Sequence, residues 1–115
     1  MTEQATTPVV RRVDARHRYE ILVGEQRAGL TAYRDHDERQ RVFFHTEIDD
    51  AFAGQGLAGI LVSEALADVR AAGLRIVPVC PYVSAFLKKH GEFADITDPV
   101  TPEILQWLEG QLRRP

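Results

Sequence analysis

Apolar and polar positions alternate along the first half of the chain and switch to a helical period in the second. His17 to Val23 is short and rich in β-formers, Gly24-Glu25-Gln26 supplies a turn, and Arg27 to Arg34 continues with Leu30, Thr31, Ala32 and Tyr33. That pattern predicts a hairpin. After the polar turn Asp35-His36-Asp37-Glu38, Arg41 to Ile48 reads as a third strand, completing an antiparallel meander. From Leu57 the period changes: Ala58, Leu61, Val62, Ala65, Leu66, Val69 and Ala72 fall on one helical face, and Gly73 provides the stop. Leu74 to Val79 is a nearly unbroken apolar run, expected of a strand covered on both faces. Pro81 and Thr101-Pro102 each mark a helix start, the first helix running to about His90 and the second carrying Ile104, Leu105, Trp107, Leu108 and Leu112. The predicted order is β-β-β-α-β-α-α, an α/β (mixed α+β) fold with the fourth strand parallel to the third through a right-handed crossover. Residues 1–15 lack sustained periodicity and are expected to be a disordered or loosely attached lead-in, with 16–115 forming a single domain.

Composition narrows the function classes. With 44% apolar and 27% charged residues the 115-residue chain has an ordinary globular make-up, and no apolar run approaches the length of a membrane span. Fourteen basic against seventeen acidic residues give a net charge of −3, which argues against a nucleic-acid partner. The single cysteine, Cys80, has no internal disulfide partner, and the first residues lack a secretory pattern, so an intracellular, cytoplasmic protein is expected. His17, His36, His45 and His90 are too scattered for a diagnostic metal-ligand spacing, and no metal is expected.

Chemistry concentrates between the third strand and the long helix. Gly54 and Gly56 let the backbone approach a ligand, and a helix start at Leu57 offers unpaired N–H groups at its positive end. The amides of Gly54, Gln55, Gly56, Leu57 and Ala58 therefore form a candidate phosphate or pyrophosphate cradle. Gly54-x-Gly56-x-x-Gly59 matches the bare dinucleotide fingerprint, but that fingerprint belongs after the first strand of a parallel βαβ unit, and here three meander strands precede it. A Walker A loop is excluded by the absence of its lysine and hydroxyl residue.

The loop Ala53-Gly54-Gln55-Gly56-Leu57-Ala58, the strand Phe44-His45-Thr46-Glu47-Ile48, and the run Val77-Pro78-Val79-Cys80-Pro81-Tyr82-Val83 followed by Phe86-Leu87-Lys88-Lys89-His90 together resemble the GCN5-related N-acetyltransferase superfamily. Within it they look like the short stand-alone YjdJ-type proteins, over roughly residues 17–97. The resemblance implies a twisted mixed sheet with a V-shaped opening between the third and fourth predicted strands, acetyl-CoA as co-substrate, and an amine or small peptide as acceptor. It also implies a cofactor-binding set of Ile48, Gly54, Gln55, Gly56, Leu57, Ala58 and Gly59. Two departures stand out. Ala53 occupies a position where the superfamily has Gln or Arg, and Leu87 stands four before Gly91 where a tyrosine acid is common, leaving Tyr82 as a displaced substitute. The chain also has no room for the N-terminal helices that build the acceptor pocket in larger members, so that pocket is expected to be open or completed by another molecule; the oligomeric state is left open, a monomer included.

Cys80 and His45 are the candidate catalytic residues. Cys80 ends the inner strand, where open α/β sheets bind ligands, and the resemblance makes it a candidate nucleophile; the bland alternative is a small buried apolar side chain. Strict alternation would put Phe43, His45 and Glu47 on one face and Phe44, Thr46 and Ile48 on the other. His45 would then serve as base toward an amine or toward Cys80, with Glu47 as a second candidate. Lys88-Lys89-His90 is either a phosphate contact or a complement to a helix C-terminus. The competing reading is a CoA-binding module or protein-interaction adaptor without turnover.

Overall fold

The computed structural model describes residues 7–113. Five strands form one sheet in the order β1-β2-β3-β4-β5: Val9–Val13, Arg18–Val23, Gln26–His36, Gln40–Ile48 and Arg75–Pro78. Neighbours are antiparallel except the last pair, where β5 joins β4 in parallel through helix α1, Leu57–Ala71. Helices α2 (Pro81–Lys89) and α3 (Pro102–Arg113) follow. The expected order is present, with one strand added.

That strand corrects the reading of the lead-in. Val9–Val13 pairs with Arg18–Leu22, Val10 packs against the core, and Arg12 bonds Asp68 of α1 at 2.8 Å. Two arginines in a five-residue run hide the strand pattern, because the partners that order it lie elsewhere in the sequence. Residues 1–6 of the expected lead-in lie outside the described residues.

Helix α1 buries Leu57, Leu61, Val62, Ala65, Leu66 and Val69 against one sheet face. Burying each of the larger of these side chains contributes about 1.5–3 kcal/mol. The helix ends where Gly73 takes a φ of +75° and the N–H groups of Gly73 and Leu74 donate to the carbonyls of Arg70 and Val69, closing the otherwise unpaired carbonyls. Pro81 opens α2, and the Thr101 hydroxyl accepts the Ile104 N–H at the start of α3, as the start signals predict. Helix α3 covers the β4–β5 end of the opposite sheet face, where Ile104 and Leu108 pack on Val42 and Val77 and Trp107 meets His36 at the end of β3. Among the described residues, no helix lies on that side over β1, β2 or the rest of β3.

Candidate functional site

Strand β4 has two halves. Gln40 to Phe43 pair with β3 on one edge and with Arg75 to Pro78 of β5 on the other. The last bond between β4 and the β5 side runs from the Cys80 N–H to the Phe43 carbonyl, 2.8 Å. There the chain turns into α2 at Pro81 while β4 continues to Ile48. The two strands part, and Phe44 to Ile48 have no β5 partner. The Asp49 N–H donates to Ala28 on the β3 side, so alternation turns the N–H and C=O groups of Thr46 and Ile48 to the vacated edge.

A bulge at the parting point reverses the side-chain pattern. Tyr33 pairs with Phe43 and Ala32 with His45, leaving Phe44 as the extra residue. Phe43 faces the α1 side, but beyond the bulge Thr46 and Ile48 face that side and His45 and Glu47 face the other. This overturns the grouping of His45 with Phe43. It also removes His45 as a partner of Cys80. The side chain that reaches the cysteine is Thr46, whose Oγ1 lies 3.3 Å from Cys80 Sγ and 2.9 Å from Thr31 Oγ1. Sequence reasoning missed Thr46 because strict alternation hides a one-residue insertion.

Cys80 is buried at 3% exposure, at the N-cap of α2 and the apex of the gap. His45 is half exposed and its Nε2 lies 2.8 Å from Glu47 Oε1. The carboxylate orients the imidazole on the α3 side of the gap.

Past Ile48 a short 3-10 turn, Asp50–Phe52, leads into the glycine loop. Gly54 and Gly56 adopt φ of +81° and +73°, and a Cβ at either would meet nothing within 4 Å. Backbone conformation, rather than crowding, therefore calls for glycine there. Gly29 is needed for the opposite reason: a Cβ there would lie 2.5 Å from Ile48 Cδ1 and 2.6 Å from the Glu47 carbonyl. Gly54, Gln55 and Gly56 are exposed, and among the described residues their N–H groups have no protein acceptor. The first helical bond runs from Ile60 to Gly56, leaving the amides of Leu57, Ala58 and Gly59 unpaired as well. No acidic residue occupies the first turn of α1. The Leu57 side chain is core; its N–H belongs to the cradle. Ile48 packs against the core, and Ala58 and Gly59 are partly exposed beside the loop.

The cradle opens into a groove of about 570 Å³ lined by Gly56, Gly59, Ile60, Ser63, Phe86 and His90 and by two carboxylates, Glu64 and Glu92. The His90 ring stacks on Phe86 with centroids 4.2 Å apart, a flat surface the sequence showed only as the end of Lys88-Lys89-His90. Tyr82 is exposed, its hydroxyl close to Gly59. Leu87, at the position where the resemblance calls for a tyrosine, packs against the core. Among the described residues no group of three or more His, Cys, Asp or Glu could hold a metal ion, and no helix is long and apolar enough to cross a membrane.

A family model described as GCN5-related N-acetyl-transferase matches residues 18–96. The solution NMR structure of a GCN5-like protein from Staphylococcus aureus aligns with a TM-score of 0.61 at 19% identity, over 82% of this chain and 91% of that one. The crystal structure of Ard1 from Thermoplasma volcanium aligns with a TM-score of 0.50 at 18% identity, over 65% of this chain and 54% of that one. At these identities the likeness is one of fold. No curated protein matches the chain.

Proposed function

The chain belongs to the GCN5-related N-acetyltransferases, and from that footing we propose that it binds acetyl-CoA along the open edge of β4 and passes the acetyl group directly to an amine arriving on the α3 side of the gap. The observation that carries this reading is the continuity of two unpaired backbone surfaces: the vacated edge at Thr46 and Ile48, and the free amides from Gly54 to Gly59. The first suits the amide groups of a pantetheine arm, which pair as an added strand would. The second suits a pyrophosphate, held by main-chain N–H groups alone because Ala53 contributes no side-chain donor. The Phe86–His90 groove receives the remainder of the coenzyme.

His45 takes the proton from the acceptor ammonium, with Glu47 holding the ring and stabilising the imidazolium. The freed amine attacks the thioester carbon; the C–N bond forms as the C–S bond breaks, and CoA leaves as its thiolate. The oxygen that gains charge is met by the strand N–H at Ile48 on the vacated edge, since the Val79 N–H already donates to the Val77 carbonyl. No tyrosine stands at the family's position to protonate the thiolate; the amides of Tyr82 and Val83, in the first turn of α2 directly after Cys80, are the donors offered in its place.

A transfer assay over an amine panel, paired with calorimetric titration of acetyl-CoA, tests this reading. His45→Gln is expected to lower kcat by roughly 10²-fold or more with acetyl-CoA affinity unchanged. Failure of acetyl-CoA to bind, or an undiminished kcat in His45→Gln, would refute it. Tight binding without transfer to any amine would favour a CoA-binding module. A second route, through an acetyl-Cys80 intermediate, is favoured by one observation, the placement of Cys80 at the apex of the gap. Mixing labelled acetyl-CoA with enzyme and no acceptor separates the routes: direct transfer leaves the protein unlabelled, and relay leaves a label that Cys80→Ser abolishes.

A further inference from the structure

The sheet face that α3 leaves bare has an unusual charge for this chain. The charged and titratable side chains on that face are Arg11 of β1, Arg18 and Glu20 of β2, Arg27 and Arg34 of β3, and His45 and Glu47 of β4, with the apolar Val9, Val13, Leu22, Leu30 and Ala32 between them. Four arginines against two carboxylates leave the face positive, although the protein as a whole carries −3. Glu20, almost fully buried, sits among three of them: Arg18 holds it at 2.7 and 2.8 Å, Arg11 at 3.4 Å and Arg27 at 3.9 Å. One carboxylate cannot neutralise three guanidiniums, and the two loosely held ones are the exposed ones, Arg11 at 60% and Arg27 at 42%. Arg34 lies 5.7 Å over the Phe44 ring, beside His45, and among the described residues it meets no carboxylate.

Register places these groups relative to the candidate base. His45, Ala32 and Arg18 stand in one row across β4, β3 and β2, with the small Ala32 leaving a shallow dip between the imidazole and the guanidinium. Glu47, Leu30, Glu20 and Arg11 form the next row. Arg34 lies on the neighbouring strand beside His45, and at about 4.8 Å per strand Arg18 stands about 10 Å and Arg11 about 14 Å from His45. They do not converge on one point, so a compact anionic amine would meet one of them at most. An extended chain, at about 3.3 Å per residue, meets several.

From this arrangement we infer that the acceptor is an acidic peptide segment, lying across the bare face of β1 to β3 with its amine at His45 and carboxylate side chains about three to four residues away, over Arg18, Arg11 and Arg27. The inference rests on the transfer reading for the position of the amine, but its recognition surface is separate from the coenzyme cradle, which lies past Ile48 and on the α1 side. Complementary charge of this kind acts chiefly on encounter and register, and it is screened by salt.

Three fluorescent peptides of equal length, each with one free amine and with Glu, Ser or Arg at the third and fourth positions from it, serve as probes in anisotropy binding to the full chain, with and without CoA, and as substrates with acetyl-CoA. The acidic peptide is expected to bind roughly tenfold more tightly than the basic one at low salt, and the difference is expected to collapse by about 0.5 M salt. Arg11→Gln combined with Arg27→Gln keeps Arg18 on Glu20; it is expected to remove most of the preference while leaving CoA affinity and the melting temperature in place. Equal binding of the three peptides, or preference for the basic one, overturns the inference whether or not transfer occurs. So does a single-stranded oligonucleotide of matched charge that displaces the acidic peptide at lower concentration than the peptide itself. Loss of transfer with the acidic preference intact counts against the transfer reading alone.

Discussion

One strand, β4, contains both a closed half and an open half, and the contrast separates what holds this protein together from where the proposed transfer takes place. In the closed half Arg41, Val42 and Phe43 are buried at 6% exposure or less. Arg41 donates twice to Asp35, at 2.7 and 2.9 Å, and once to the Tyr19 hydroxyl at 2.7 Å, with its guanidinium 4.2 Å from the Tyr33 ring. Tyr19 in turn bonds Asp68 of α1, which also binds Arg12 of β1. Burial pushes the Tyr33 hydroxyl up to about 12, so it stays a neutral donor to Asp14. The open half has no such lock: His45 and Glu47 face solvent, and the backbone edge between Thr46 and Ile48 is unpaired. Only a sheet fastened at one end can afford to part at the other.

The largest effect is therefore expected at the closed end. Arg41→Ala removes three hydrogen bonds and leaves an emptied site beside the Tyr19–Asp68 pair; because Asp35 is 42% exposed and Asp68 keeps Arg12, the cost is about 2–3 kcal/mol. For a domain of this size that is a fall in melting temperature of about 8 °C or more. Acetyl-CoA affinity of the folded fraction is expected to be unchanged. Weakened affinity in protein shown to be folded would mean that the two halves are coupled, and the contrast would fail.

Acid should find the same end. Burial alone would raise the Asp68 carboxyl, but the bonds from Tyr19 and Arg12 and the charges of Arg12 and Arg41 outweigh it and hold the group below its ordinary value. Glu20 is likewise held low, its burial outweighed by Arg18 and Arg11. A carboxylate whose folded value is depressed contributes stability that is fully present above its unfolded value, near 4, and is lost as pH falls through the folded value. Stability is expected to be level from pH 7 to about 5 and to decline below about 4. Asp68→Asn should flatten that decline, as measured by urea midpoints across the range.

The open half was the less legible in sequence, for an identifiable reason. The helix stripe of α1, the stop at Gly73 and the cap at Thr101 are local signals, and they stand where the pattern put them. The glycine loop was also legible, since positive φ at Gly54 and Gly56 selects the residue type directly. Strand β1 and the bulge at Phe44 were not, because both are defined by partners in other strands. The bulge matters more: it decides that His45 and Cys80 serve opposite faces, which no reading of alternation could reveal. Gly29 escaped notice similarly, its need set by Ile48 and Glu47 across the ladder.

A smaller effect is expected at the cradle. Gly56→Ala adds no clash but forces an alanine to a φ of +73°, at a cost of about 1–2 kcal/mol. Part of that cost is avoided if the loop relaxes, and relaxation disperses the amides. Acetyl-CoA should then bind several-fold more weakly, while His45 retains its bond to Glu47 and its role in any residual turnover. Calorimetry and a melt on the same sample resolve the two contributions. Unaltered affinity would show that the amide cradle is not where the coenzyme binds.

The smallest and most discriminating change is Thr46→Val, at the point where the halves meet. Valine keeps the shape of threonine but removes the hydroxyl shared by Thr31 Oγ1 and Cys80 Sγ. Thr31 is fully buried, so its hydroxyl loses that partner in the core at a cost of about 1 kcal/mol. Cys80 is fixed independently by its N–H bond to Phe43 and by the start of α2, so its position is expected to hold. If the amine attacks from the His45 side, kcat with a good acceptor should change by less than about threefold, because nothing on that face has moved. A loss of kcat comparable with that of Cys80→Ser, at unchanged acetyl-CoA affinity, would place the reacting group on the covered face instead. The placement of the reacting amine on the α3 side would then have to be redrawn around the Thr46–Cys80 contact.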